Sequence, residues 1–305
     1  MSNNQQNSLG VYRNDPLADI EFIQGYWRMG EWGMSPVQRL EFVKQHIELG
    51  ITTVDHAAIY GGDVPCETLF GEALALEPSI REQLHIITKL GIIAPQTEGG
   101  IAYYDSGRGE IIGSVERSLK QLGVEHVDTL LLHRPDILLQ PEEVAEAFEV
   151  LRRSGKVLNF GVSNFTTHEF SSLQSYLDVT LVTNQVEINP INMQSLEDGT
   201  LHQLQAQRRR PMAWSCLAGG NLFNPSTEQD NRVLTVLEEI KEEVSAESID
   251  QVVFAWVMAL PSRPIPIIGS GKIERVKTAV AAKNISLTRE QWYRVWTASK
   301  GHGVA

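Results

Sequence analysis

Cysteine is scarce in this chain: Cys66 and Cys216 are its only two, far apart and without a CxxC, among 305 residues. That excludes a disulfide framework and a cysteine-rich metal site, and fits a reduced, cytoplasmic setting. Positive charge is also in deficit. Against 38 Asp and Glu stand 26 Lys and Arg, a formal net charge of -12, which excludes broad nucleic-acid binding, since that rests on clustered cations. No stretch reaches about 18 consecutive apolar residues, so no membrane span is expected. The polar start, MSNNQQNSLG, lacks the apolar core of a signal peptide.

Several catalytic signatures are missing too. His56, His126 and His133 show no HExxH or related spacing, so no metal site is expected and metal-assisted hydrolysis is excluded. No GxSxG elbow is present, which disfavours an α/β-hydrolase. The stretch GSGKIERV at Gly269 fails the dinucleotide GxGxxG pattern because Glu274 occupies the third glycine position, and fails the P-loop because Pro266 stands where the first glycine belongs.

What is present is alternation. Ser35-Pro36 reads as N-cap and first residue of a helix carrying Val37, Leu40, Val43 and Ile47 at helical spacing, and Gly50 ends it. Short apolar strands starting at Ile51, Leu84, Val127, Val157, Leu181, Pro211 and Ile265 then alternate with helices. The segment Glu21 to Met29 supplies an eighth strand. Near-continuous apolar strands between helices mark parallel strands buried on both faces. Eight of them in a chain of this length predict an α/β fold, a single-domain (β/α)8 TIM barrel over residues 19–305 behind a flexible N-terminal segment 1–18, with a doubly wound sheet as the alternative. The region 189–209 reads as one further helix, and no linker, repeat or composition shift divides the chain.

Polar residues close the strands. Asp55, Lys89, His133, Asn164, Gln185, Ser215 and Ser270 all fall at predicted C-terminal strand ends. Singly, each is an ordinary turn former. Jointly, they would converge on one face of a barrel, where active sites of this architecture lie. The stretch GITTVDHAAIYGG from Gly50 places Asp55 at a strand exit and Tyr60 five residues on. An unpaired buried carboxylate costs on the order of several kcal/mol, so Asp55 needs a partner, and Lys89 on the next strand would neutralise it. Tyr60 beside Lys89 would have its phenol pKa lowered, and so act as a general acid toward an oxygen, with His133 as a second donor. After Gly269-Ser270, Lys272 and Arg275 in the first helical turn suit a phosphate.

These residues resemble the aldo/keto reductase family: VDHAAIYGG with Asp55 and Tyr60, ITKLG with Lys89 and LLLHRPD with His133 are similar to its catalytic tetrad. GVSNF, NQVEINP and IPIIGSGKIERV are similar to its cofactor-binding segments. The resemblance implies a barrel that binds NADPH without a Rossmann domain and reduces an aldehyde or ketone. Tyr60 would be the proton donor, Lys89 and Asp55 its tuning pair, and His133 the substrate-orienting donor. Ser163, Asn164 and Gln185 would hold the nicotinamide carboxamide. Trp214 would stack on the ring, with Ser215 beside it, and Ser270, Lys272 and Arg275 would take the 2′-phosphate and adenosine end. One departure concerns that end: Gly269 stands where the family often has Lys before the Ser. The partner is expected to be a small carbonyl compound, with no nucleic acid or membrane, and the chain to be a monomer. Two rivals remain at this level: a nucleotide-sensing subunit of the same fold with little turnover, and an aldolase in which Lys89 forms a Schiff base.

Overall fold

The computed structural model describes residues 15–95 and 97–305. The strands in chain order are β1 (Ile23–Gly25), β2 (Thr53–Asp55), β3 (His85–Leu90), β4 (Ile92–Ile93) and β5 (Tyr103–Tyr104). They continue as β6 (Val127–Leu132), β7 (Val157–Ser163), β8 (Leu181–Glu187), β9 (Met212–Trp214) and β10 (Ile265–Ile268). Eight of these close into a parallel barrel in the order β1-β10-β9-β8-β7-β6-β3-β2, while β4 and β5 pair as a separate antiparallel hairpin. The fold is therefore the single-domain (β/α)8 barrel the alternation predicts.

Helices cover the outside and start where the sequence marks them. Ser35 caps the helix Pro36–Glu48 through a capping box with Gln38. Thr166 with Glu169, Thr227 with Asp230 and Thr288 with Gln291 repeat that device, each satisfying backbone N–H groups that a helix start leaves open. Between helices and strands lies the outer core; Phe148 and Phe160, for example, stack with ring centroids 4.2 Å apart.

A second apolar cluster fills the barrel interior. Ile23, Ile87, Leu131, Val182, Met212 and Ile265 come from six different strands and pack with Leu17. Alternation sets what stands above them, because side chains two residues apart on a strand share a face. Ile86, Leu130 and Leu132 face the helices. Lys89 lies two residues beyond Ile87 and His133 two beyond Leu131, so both continue the inward face toward the C-terminal rim. Ser163 likewise follows Gly161, where a Cβ would stand 2.7 Å from the Leu131 side chain and 3.0 Å from Thr183.

The opposite end of the barrel is closed by a plug. Arg210 donates through Nη1 to the carbonyls of Leu17, Ala18 and Ile20, at 2.6 to 2.9 Å, and through Nε to Arg263. Residues 15–18, counted above with the flexible start, thus belong to the barrel floor, and Leu17 is fully buried. Residues 1–14 lie outside the described residues.

Two further readings need correction. Only Ile23–Gly25 of the long first strand is paired; the chain then turns into a 3-10 segment, Met29–Trp32. The region 189–209 holds two short helices, Gln194–Glu197 and Thr200–Ala206, split at Gly199, whose φ of 90° is costly for any side-chain-bearing residue. Both cysteines are free and buried. Among the described residues no helix is long and apolar enough to cross a membrane.

Candidate active site

Lys89 is the hub of the rim. Its side chain is buried in β3, and Nζ donates to Asp55 Oδ2 at 2.7 Å and to the His56 carbonyl at 2.8 Å. It also lies against Tyr60, with Nζ 4.7 Å from the ring centroid. Burial opposes its charge, yet the Asp55 carboxylate and Tyr60 outweigh that and hold the ammonium above its ordinary range. Asp55 uses its other oxygen to accept from Gln185 Nε2 at 2.9 Å. The pair is thus hydrogen-bonded throughout, the condition under which a buried ion pair is tolerated. A lysine committed in this way lacks the free amine a Schiff base requires.

Tyr60 sits on the loop after β2, its ring edge-to-face with His133 at 5.6 Å. The expectation of a lowered phenol pKa does not hold. Burial raises it, and although Lys89 pulls the other way, the net direction is upward. The phenol is therefore neutral at neutral pH and carries the proton it would have to give. His133 is pushed down to about 2, by burial first and then by Lys89 and Arg134. It is a neutral imidazole, and its Nδ1 has no hydrogen-bond partner among the described residues.

A hydrogen-bonded wall runs from there across β7, β8 and β9. Asn164 Nδ2 donates to Ser163 Oγ at 2.7 Å and to the His133 carbonyl at 3.4 Å, and Trp214 Nε1 donates to Asn164 Oδ1 at 3.1 Å. Ser163 Oγ and the Asn164 N–H both reach the Gln185 carbonyl. Asn164 and Ser215, at the exits of β7 and β9, have φ of 62° and 54°. Such left-handed backbone costs about 1–3 kcal/mol at a non-glycine residue and persists where surrounding structure enforces it. The Ser215 carbonyl accepts from Asn189.

Ser270, Lys272 and Arg275 form a separate group at the exit of β10 and the start of helix Ile273–Ala281. Ser270 Oγ accepts from the Lys272 N–H, and Lys272 and Arg275 are exposed, with no ion pair among the described residues. The structure therefore brings Asp55, Tyr60, Lys89, His133, Ser163, Asn164, Gln185, Trp214 and Ser215 around one mouth, and leaves the last three candidates along its β10 side.

Sequence reasoning passed over four neighbours. Gln24, fully buried in β1, donates to the Ser270 carbonyl and keeps Oε1 unpartnered. Trp32 lies over Gly271, where a Cβ would fall 2.3 Å from its ring; the signal was the second glycine of Gly269-Ser270-Gly271. Glu67, buried behind Lys89, accepts from Thr88. Arg134, next to His133, places its guanidinium carbon 5.6 Å from the Trp214 ring centroid. A cavity of about 570 Å³ beside the Tyr60 loop is lined by Trp27, Arg28, Met34 and Asp63 among others.

Comparison with known proteins bears on the whole chain. Residues 21–299 match the model of the aldo/keto reductase family. The oxidoreductase YdhF of Escherichia coli (strain K12) is 53% identical over 93% of this chain and 94% of its own length. A 6-dehydroglucose reductase of Agrobacterium fabrum is 37% identical over 96% of this chain and 98% of its own. Among solved structures, a thermostable aldo-keto reductase in complex with the inhibitor epalrestat superposes with a TM-score of 0.76 at 26% identity, covering 91% of this chain and 94% of the other. With a family match spanning the barrel from its first strand to its last helix, this chain belongs to the aldo/keto reductase family.

Proposed function

We propose that this protein is an NADPH-dependent reductase of aldehydes or ketones, and that Asp55, Tyr60, Lys89 and His133 carry the chemistry. The observation behind this reading is the single buried cluster in which Lys89 joins Asp55 to Tyr60 and Tyr60 faces His133. A neutral phenol beside a fixed ammonium can protonate a developing alkoxide, and the ammonium then stabilises the phenolate left behind. Asp55, held by both Lys89 and Gln185, fixes the ammonium in place. His133, neutral and perpendicular to Tyr60, would orient the carbonyl oxygen toward the phenol. Positioned acid catalysis of this kind contributes about a hundredfold to ten-thousandfold.

The residues present fit the cofactor. NADPH, when bound, supplies the hydride. Ser163, Asn164 and Gln185 would hold its carboxamide, Trp214 and Ser215 would flank the nicotinamide, and Ser270, Lys272 and Arg275 would hold the 2′-phosphate and adenosine end. Among the described residues, two exposed cations without ion pairs at a helix start, and a buried Gln24 oxygen lacking a donor beside Ser270, are what a polyanionic ligand with hydroxyl groups would explain. That one relative is named a 6-dehydroglucose reductase supports reduction of a carbonyl.

The test is a steady-state assay of NADPH oxidation over a panel of aldehydes and ketones. Turnover with one or more of them is expected. NADPH binding without turnover on any of them would favour a nucleotide-sensing subunit instead.

A further inference from the structure

Arg134 presents a cation that finds no ion-pair partner among the described residues. It lies two residues beyond β6, and the strand order places Trp214, on β9, three strands away around the rim. Neighbouring strands are about 4.8 Å apart, so a guanidinium carbon 5.6 Å from the Trp214 ring centroid reaches across the mouth instead of turning outward to solvent. It is half-buried, and among the described residues it has no hydrogen-bond or ion-pair partner; the Trp214 ring is its contact.

The acids that could serve it are committed elsewhere. Asp136 accepts from the Ser106 N–H and the Leu138 N–H, one through each oxygen. Glu187, whose register partner is Trp214, accepts from Asn189 and Asn192. Asp55 is held by Lys89 and Gln185. Elsewhere in this acidic chain Arg39, Arg81, Arg117, Arg152 and Arg294 all have carboxylate partners. A half-buried guanidinium stacked on an indole, with its N–H fork unused, is suited to a planar or tetrahedral oxyanion.

We infer that Arg134 is a specificity-determining residue that binds an oxyanion of the substrate, so the preferred carbonyl compound carries a carboxylate, phosphate or sulfonate group near the carbonyl. This rests on the reading of Tyr60 and His133 as the carbonyl site. Their proximity agrees with it: the charge of Arg134 acts on both side chains, so a ligand oxygen held by them has the guanidinium as a neighbour. Substrate polarity would then be read by the mouth from two sides, with the carbonyl at Tyr60 and His133 and the anion at Arg134.

The experiment compares matched pairs, succinic semialdehyde against butanal and glyceraldehyde 3-phosphate against glyceraldehyde, in wild type, Arg134→Met and Arg134→Lys. Wild type should favour the charged member of at least one pair in kcat/KM by about ten- to a hundredfold, the range of a charge-assisted hydrogen bond. The pair that responds distinguishes a carboxylate from a phosphate. Arg134→Met should erase the preference chiefly through KM of the charged member, with Arg134→Lys keeping part of it. A wild type that reduces the neutral aldehydes as well as the charged ones would overturn the inference, as would an Arg134→Met whose loss falls on the KM for NADPH. No turnover of either member of either pair, together with none across the wider carbonyl panel, would instead remove the carbonyl-reductase reading, and the oxyanion site with it.

Discussion

The two ends of this barrel each hold a buried or half-buried arginine, and the two are treated in opposite ways. At the floor, Arg210 is 5% exposed and distributes its N–H groups over the carbonyls of Leu17, Ala18, Ile20 and Arg263. At the mouth, Arg134 has no hydrogen-bond or ion-pair partner among the described residues, and its guanidinium lies 5.6 Å from the Trp214 ring centroid. The floor also buries apolar Leu17, whereas the mouth gathers Lys89, Asp55 and His133. The lesson is one of satisfaction: the floor arginine finds its acceptors within the chain and holds the plug in place, whereas the mouth arginine keeps its N–H fork without a partner among the described residues, and the proposed oxyanion would supply one. This matches the division of labour in barrels, stability below and chemistry above.

The comparison breaks most visibly at the floor. Arg210→Met would leave several buried carbonyls without a donor, at about 1–3 kcal/mol for each unsatisfied group. A loss of stability on the order of 3–5 kcal/mol is expected, read as a lower urea midpoint, with kcat per folded molecule unchanged. If stability hardly moved and kcat fell, the floor would have a part in the chemistry and the contrast would fail.

A second effect, on the pH dependence of stability, comes from buried histidines. His46, His56 and His133 are pushed down to about 4, 3 and 2, each by burial first. Their folded pKa values lie below the unfolded value of about 6.5, so the unfolded chain takes up protons first on acidification. Stability from these three groups is complete above about pH 6.5 and is lost progressively as pH falls from there toward the folded values. Urea unfolding at stepped pH checks this, and constant stability from about pH 7 to pH 5 would contradict it. The same depression means that kcat should show no inflection near the ordinary imidazole value of about 6.5.

Much of the architecture was legible in the sequence. The strand starts at Val127, Val157, Leu181 and Ile265 and the helix start at Pro36 are read to the residue, because apolar runs and a helix-starting proline mark them. The hairpin of Ile92–Ile93 with Tyr103–Tyr104 was not, since two-residue strands carry no periodicity. The rim positions of Asp55, Lys89 and His133 followed from strand ends, but the direction of the Tyr60 shift did not. It depends on how much protein surrounds the phenol, a quantity set by tertiary packing. Arg134 was hidden for a similar reason: its neighbour Trp214 comes from a distant strand, as do Asp55 and Glu187, which are committed elsewhere.

The central claim is that the proton comes from Tyr60 while the cofactor is held by other residues. Its most direct test is Tyr60→Phe, with NADPH affinity measured by fluorescence titration and turnover measured on the best carbonyl of the panel. The account predicts that NADPH affinity is retained while kcat falls by at least about a hundredfold. Turnover at the wild-type rate in that variant would contradict it.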